Sequence, residues 1–134
     1  MIDLENELYA KIQPVLTSHF QGIELTGEEL INAPSKFPCV SIFEADNYPV
    51  VKTQDSGSNE NHVHLMYEVN IYTNKADSKK GQAKKILNVL DGELNKLGFT
   101  RTMKQPASLN DGQIFRFIAR YEAIADKDHK IYRR

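Results

Sequence analysis

The sequence is poor in residues that could cross-link it. It contains one cysteine, Cys39, in 134 residues. A single thiol excludes a disulfide within the chain and also a zinc site built from several cysteines. No neighbour in the sequence would lower the pKa of this thiol, so its position between Pro38 and Val40 indicates a small core residue rather than a reactive nucleophile.

Long apolar runs and an excess of positive charge are also missing. The apolar segments are only a few residues long, so none is expected to span a bilayer. The segment MIDLENELYAKI has acidic residues where a secretory signal has basic ones, which predicts a folded part of a soluble protein made and kept in a cytoplasm. With 17 basic and 18 acidic residues the net charge is −1, which is unlike an autonomous nucleic-acid binder.

Two segments with helical spacing of apolar residues are present. The first predicts a helix over residues 3 to about 20, capped by Asp3, with a kink or a break into two short helices at Pro14. The second has a longer apolar stripe, with Asp77 as the expected cap and Gly98 as the expected terminator. Both helices are therefore expected to bury one side.

Alternating apolar residues predict the strands. Residues 62–73 alternate throughout, which is typical of a strand with one buried face. Two strands are expected on either side of an irregular loop at 32–38. Residues 99–104 and 113–124 are expected to pair as a hairpin around a tight turn at 110–112.

These elements predict a single domain over residues 1–134, of the α+β class. Its order is α-β-β-β-α-β-β, a mainly antiparallel sheet with two main helices packed on one face. A polar composition predicts a mobile loop over about 46–61. The polar C-terminal tail, about 126–134, has too little apolar surface to pack alone and is expected to fray or to dock on another subunit.

Catalytic and cofactor-binding motifs are not found. His62 and His64 have a spacing at which two imidazoles can share a metal ion, but the sequence pattern indicates no third ligand. The polar face of a half-buried strand accounts for both histidines without a metal. There is no nucleophile elbow, phosphate-binding loop or dinucleotide fingerprint. We therefore expect no enzyme activity, no cofactor, and no catalytic, cofactor-binding or metal site.

Two groups of basic residues are candidates for binding. The lysines of segment 77–85 oppose the dipole of the second helix; we interpret them as a solvated face, with phosphate or an acidic partner as the alternative. The hairpin carries four basic residues that are expected to share one face: Arg101, Lys104, Arg116 and Arg120. One face of the last strand also carries Ile118 and Ile124, so a neighbour is expected to cover part of it.

Four stretches in the second half of the chain carry a resemblance: Tyr67-Glu-Val-Asn-Ile-Tyr-Thr-Asn-Lys75, Leu97-Gly-Phe-Thr-Arg-Thr102, Phe117-Ile-Ala-Arg-Tyr121 and Lys130-Ile-Tyr-Arg-Arg134. With these stretches the chain resembles small bacteriophage and prophage tail terminator (tail-completion, head-tail joining) proteins. About half of the chain carries the likeness. The order of helix, sheet, helix and hairpin in that family is similar to the order predicted here.

The resemblance implies a structural virion protein that caps the head-proximal end of the tail tube, ends tube growth and joins the tail to the neck. It would form a homo-oligomeric ring of about six subunits. The implied partners are other copies of the chain, the tail tube protein and neck or head-completion proteins, with DNA passing through the ring without sequence-specific binding and no membrane involved. The implied location is the tail or neck of the virion, assembled in the host bacterial cytoplasm.

Two other interpretations remain open at this point. One is a head-closure or head-tail connector protein on the portal side, and the other is a small nucleic-acid-binding module. The resemblance assigns no role to individual residues, so exposure and charge select the expected subunit interface. These residues are Asp55, Asn59, Arg101, Arg116, Arg120, Tyr132, Arg133 and Arg134.

Overall fold

Two helices and one six-stranded sheet make up the fold. A computed structural model describes residues 2–30, 34–49, 62–75, 78–108 and 114–132. Along the chain the elements are α1 (Glu5–His19), β1 (Glu24–Thr26), β2 (Cys39–Pro49), β3 (His62–Thr73), α2 (Lys79–Lys96), β4 (Thr100–Ser108), β5 (Phe115–Asp126) and β6 (Ile131–Tyr132). The predicted order therefore holds as far as β5, and β6 is an additional strand. Neither helix is long and apolar enough to cross a membrane.

The sheet is mixed, with strand order β1-β2-β3-β5-β4 and β6 beside β5. All strand pairs are antiparallel except β1 and β2, which are parallel. The sheet is thus mainly antiparallel, as predicted. Parallel pairing requires the chain to cross back over the sheet between β1 and β2. Ser41 Oγ donates a hydrogen bond to the Glu28 carbonyl at 2.6 Å, which holds the start of this crossover against β2.

One hydrophobic core lies between the helices and one face of the sheet. On the sheet side the core takes every second residue of β3 and β5, as the period of a strand requires. The helical core residues are Leu8, Ile12 and Leu16 of α1 and Ala83, Ile86, Leu87, Leu90 and Leu94 of α2. Because both helices contribute to the same cluster, they pack on the same face of the sheet, which confirms the prediction.

The helix ends and the proline differ in part from the sequence prediction. Helix α1 starts at Glu5, whose backbone N–H donates to Asp3 Oδ1 at 3.0 Å, and it continues past Pro14, so it is not divided in two. Pro14 is exposed, so its ring meets solvent rather than the core. Helix α2 follows Ser78, whose side chain makes no capping bond, and Asp77 lies outside the described residues.

The C-terminal end of α2 agrees with the prediction at Gly98. This glycine has a φ of +103°, a region that side chains with a Cβ rarely adopt. Its N–H donates to the Asn95 carbonyl at 3.1 Å, and the Phe99 N–H donates to the Leu94 carbonyl at 2.9 Å. This pair of bonds is a Schellman motif, which satisfies carbonyls that the helix end would otherwise leave unpaired.

Two predicted loops are partly strands. Strand β2 runs to Pro49 after a register shift between Glu44 and Asp46, so residues 46–49 do not belong to a mobile loop. At the C-terminus the chain turns after Asp126 and pairs with β5 as β6. Up to Tyr132 it therefore docks on its own sheet, whereas the sequence predicted a tail that frays or docks on another subunit. This pairing is possible because Ile131 packs against the core and hydrogen bonds close the turn. The Asp126 N–H donates to the Lys130 carbonyl, and the Lys130 N–H donates to Asp126 Oδ1. Residues 50–61 and the expected turn at 110–112 lie outside the described residues.

Candidate functional site: the open face of the sheet

The sheet face opposite the helices is called here the open face. Strands β2 to β6 contribute residues to it. These residues are Cys39, Ser41, Phe43, Asp46 and Tyr48 of β2; His62, His64, Met66, Glu68, Asn70 and Tyr72 of β3; Arg116, Ile118, Arg120, Glu122, Ile124 and Asp126 of β5; Thr100, Met103, Gln105 and Ala107 of β4; and Tyr132 of β6. They are register partners across the strands and alternate with the core residues. No helix among the described residues packs on this face.

An aromatic row crosses the open face at one end. Tyr48, His64, Ile124 and Tyr132 are successive register partners on β2, β3, β5 and β6. The Tyr48 and His64 ring centroids are 4.8 Å apart, and those of His62 and Tyr132 are 5.8 Å apart. Tyr48 is 46% exposed and Tyr132 is 39% exposed, the two large hydrophobic residues in the described chain that face solvent to this extent. Such rings favour contact with another surface.

A hydrogen-bonded network fixes two arginines in the middle of the face. Arg116 donates from Nε and Nη2 to Asn70 Oδ1, at 2.9 and 2.6 Å. Asn70 Nδ2 donates to Glu68 Oε2 at 3.0 Å, and Arg120 Nε donates to Glu68 Oε1 at 3.2 Å. The Arg116 guanidinium also lies 5.4 Å from the centre of the Tyr72 ring. Because the network already restricts both arginine side chains, they lose less conformational entropy when a partner binds.

His64 and Glu122 form a buried contact between the row and the network. The distance from His64 Nε2 to Glu122 Oε1 is 3.4 Å, with side chains 8% and 9% exposed. His62 and His64 do share a strand face, as predicted. Among the described residues, however, neither belongs to a group of three metal-ligating side chains. The His64 ring packs against Tyr48 and the His62 ring against Tyr132.

The structure separates the basic residues of the hairpin. Arg116 and Arg120 lie on the open face, but Arg101 pairs in register with Tyr121 and Lys104 with Ala119, which face the helices. Arg101 Nη1 lies 3.4 Å from Asp91 Oδ1 on α2. The prediction that all four share a face is wrong. A register shift between Arg101 and Met103 inverts the alternation of β4, which local sequence spacing does not reveal.

The remaining predicted interface residues divide into two groups. Tyr132 ends the aromatic row, whereas Asp55, Asn59, Arg133 and Arg134 lie outside the described residues. Sequence reasoning missed Tyr48, because it assigned that residue to the polar loop. The sequence carried no clear signal for it, because the pairing of Tyr48 with His64 depends on a register shift between Glu44 and Asp46.

The lysines at the start of α2 remain a surface cluster. Lys80, Lys84 and Lys85 are exposed and Lys79 is half-buried. None of them makes an ion pair with another residue of the described chain. This fits the interpretation of a solvated helix face.

Cys39 is buried, as predicted, at the far end of the open face from the aromatic row. Burial first, and the nearby Glu24 carboxylate second, raise the pKa of its thiol from 9.0 to about 11. At about pH 8 the native thiolate population is then about a hundredfold below that of the unfolded chain. We expect a disulfide reagent to label Cys39 at least about a hundredfold more slowly in native protein than in urea. Equal labelling rates would contradict this burial.

The open face combines exposed aromatic rings, half-buried Ile and Met side chains, and arginines held by their neighbours. Aromatic residues, Met and Arg are enriched at protein interfaces. No protein-family model and no curated protein matches the chain.

Proposed function

We propose that this protein is a structural component of a bacteriophage tail. It forms a homo-oligomeric ring that caps the head-proximal end of the tail tube, ends tube growth and joins the tail to the neck. The open face supports this proposal most directly, because it is an interaction surface without a described helix to cover it. The stretches that resemble tail terminator proteins lie on β3, β5, β6 and the start of β4, the strands that build this face.

The composition of the open face favours a partner of protein nature. Ile118, Ile124 and Met66 are half-buried and interleave with the fixed arginines. When a partner binds such a surface, the burial of apolar area contributes favourable binding free energy, and the charged groups specify the orientation of the partner. The arginine and glutamate charges alternate on it, so the face carries no single-sign patch that would favour nucleic acid.

Ring assembly requires a second surface that differs from the first, because subunits in a ring of more than two contact each other head to tail. Strand β4 provides a candidate. It lies at the end of the strand order, so one of its edges has no partner strand in the described chain. Lys104, Gln105 and Pro106 are exposed along it. An unpaired edge can accept backbone hydrogen bonds from a neighbouring subunit.

The other partners follow from this position in the particle. The tail tube protein would contact one rim of the ring and the neck or head-completion proteins the other. DNA would pass through the centre without sequence-specific contacts. The protein would be assembled in the host bacterial cytoplasm and end in the tail or neck of the virion.

Charge reversal on the open face tests the proposal. A prophage lacking this gene is complemented with wild type, with Arg120→Glu or with Lys96→Glu, and tails are measured by negative-stain electron microscopy. Arg120 is an open-face residue, whereas Lys96 lies at the end of α2 with its side chain 76% exposed. Each change breaks one ion pair with a glutamate, but only Arg120 lies on the open face. We therefore expect Arg120→Glu to leave tails of irregular length and Lys96→Glu to restore normal ones.

A second variant separates assembly from folding. Tyr48→Ser removes an exposed ring from the aromatic row, and such a change should alter stability little. We expect both open-face variants to be folded by circular dichroism and yet to fail in complementation. Normal tail lengths with both would contradict the assignment of the open face as the assembly surface.

A further inference from the structure

A cavity of about 440 Å³ opens beside the N-terminal end of α1, on the helix side of the sheet. Its walls combine carboxylates and phenols with aliphatic side chains. The polar walls come from Asp3, Glu5, Tyr9, Glu28 and Tyr67. This cavity is separate from the open face, because Tyr67 belongs to the core side of β3.

Three carboxylates meet at this cavity or at its edge. Asp3, Glu5 and Glu44 each place an oxygen within 4.8 Å of the other two. Asp3 and Glu5 belong to the N-terminal segment and the first turn of α1, while Glu44 is on β2 directly opposite Tyr67 of β3. The fold, and not sequence proximity, therefore brings the third carboxylate to the other two.

Hydrogen bonds from the chain hold the three groups in this arrangement. The Glu5 N–H donates to Asp3 Oδ1 at 3.0 Å, and the Glu44 N–H donates to Glu5 Oε2 at 3.4 Å. Asn47 Nδ2 donates to Glu44 Oε1 at 3.0 Å and to the Ile2 carbonyl at 2.7 Å. Each carboxylate thus has one oxygen engaged, and its second oxygen accepts no bond from the described chain.

The negative charge of the cluster is not offset by the described protein. No lysine, arginine or histidine among the described residues lies within 4 Å of these three carboxylates. The carboxylates of Asp3, Glu5 and Glu44 therefore repel one another at this short distance, and a bound cation would remove the repulsion.

Tyr67 supplies an independent indication of a ligand. The residue is 1% exposed, and no described residue gives its Oη a hydrogen bond of normal geometry. The Leu4 N–H lies near this oxygen, but it is a donor and gives the phenol proton no acceptor. The phenol carries its proton at neutral pH and is therefore a hydrogen-bond donor. A buried donor without an acceptor lowers the stability of the folded protein unless a further group accepts its proton.

We propose that Asp3, Glu5 and Glu44 bind a divalent cation with a preference for oxygen ligands, of the calcium class, and that Tyr67 donates its proton to a water in the coordination shell of that ion. Three carboxylates and water suit Ca²⁺, which accepts irregular coordination by six to eight oxygens, better than Mg²⁺, which requires an octahedron. The cavity leaves room for the water ligands that three carboxylates do not replace. The bound ion ties the N-terminal segment to β2.

Calcium titration of the purified protein tests this site. Isothermal titration calorimetry and thermal unfolding are compared for wild type, Glu44→Gln, Glu5→Gln and the control Glu93→Gln on α2. We expect saturable binding and a calcium-dependent rise of Tm in wild type and the control. Glu44→Gln and Glu5→Gln should each lower the affinity for calcium by at least about tenfold and abolish the calcium-dependent rise of Tm. Absence of saturable binding to wild type, or unchanged binding by Glu44→Gln, would overturn the proposal.

Terbium luminescence provides a second readout that does not depend on stability. The chain contains no tryptophan, so energy transfer to bound Tb³⁺ can come only from its tyrosines. In wild type, we expect excitation of tyrosine to sensitise Tb³⁺ and calcium to displace the bound Tb³⁺. Tyr67→Phe should reduce the luminescence, whereas the control Tyr132→Phe should leave it unchanged. An equal signal from all variants would place the ion elsewhere and contradict the site. Because the site is remote from the open face, failure of this test leaves the tail function untouched.

Discussion

Replacement of Phe99 by alanine is expected to lower the free energy of unfolding by about 3 to 5 kcal/mol. Phe99 is fully buried between the end of α2 and the start of β4. Its ring meets Tyr67 edge to face, with centroids 5.5 Å apart and planes at 87°. Removing the ring loses this contact and leaves a cavity that its packed neighbours can fill only in part.

Urea unfolding measured by circular dichroism checks this expectation. Phe99→Leu is the matched control, because it removes the ring but retains most of the apolar volume. We expect the leucine variant to lose clearly less free energy than the alanine variant. A loss below about 1 kcal/mol for Phe99→Ala would mean that this region is not part of the cooperative core.

Replacement of Gly98 by alanine is expected to destabilise the fold by about 2 to 4 kcal/mol. The φ of +103° at this position is strained for any residue with a Cβ. The added Cβ would also lie 2.9 Å from Ile131 Cγ2, closer than packed carbons approach. The cost thus has a backbone part and a steric part, and the steric part depends on β6 lying against the end of α2.

A double variant separates these two parts. Ile131→Ala removes the steric part. In that background Gly98→Ala should lower the free energy of unfolding by less than it does in wild type, and a double-mutant cycle measures the difference. Gly92→Ala is the matched control, since Gly92 lies within α2 with open space where a Cβ would be added. It is expected to stabilise the protein by about 0.5 to 1 kcal/mol. Equal costs of Gly98→Ala in both backgrounds would show that β6 does not dock as described.

Local periodicity was sufficient to predict much of the fold. The alternation over β3 predicted which residues reach the core and which lie on the open face. The apolar stripe and Gly98 located α2 and its end. Both signals depend on residues close in sequence, where helix and strand geometry fixes the direction of each side chain.

The features that sequence analysis missed depend on contacts between distant segments. The parallel pairing of β1 with β2 results from a crossover, and the inverted face of β4 results from one register shift. Strand β6 forms because Ile131 packs against the core, although its neighbours in the sequence are polar. The carboxylate cluster was missed for the same reason, since Glu44 joins Asp3 and Glu5 only in the folded chain.

Deletion of this gene from its source genome, followed by induction of particle production and negative-stain electron microscopy of the lysate, tests the central claim most directly. A protein that ends tube growth should, when absent, leave overlong or irregular tails without heads. Tails of normal length beside unattached heads would contradict the terminator role and indicate a connector on the portal side. Unchanged particles would contradict any role in joining the tail to the head.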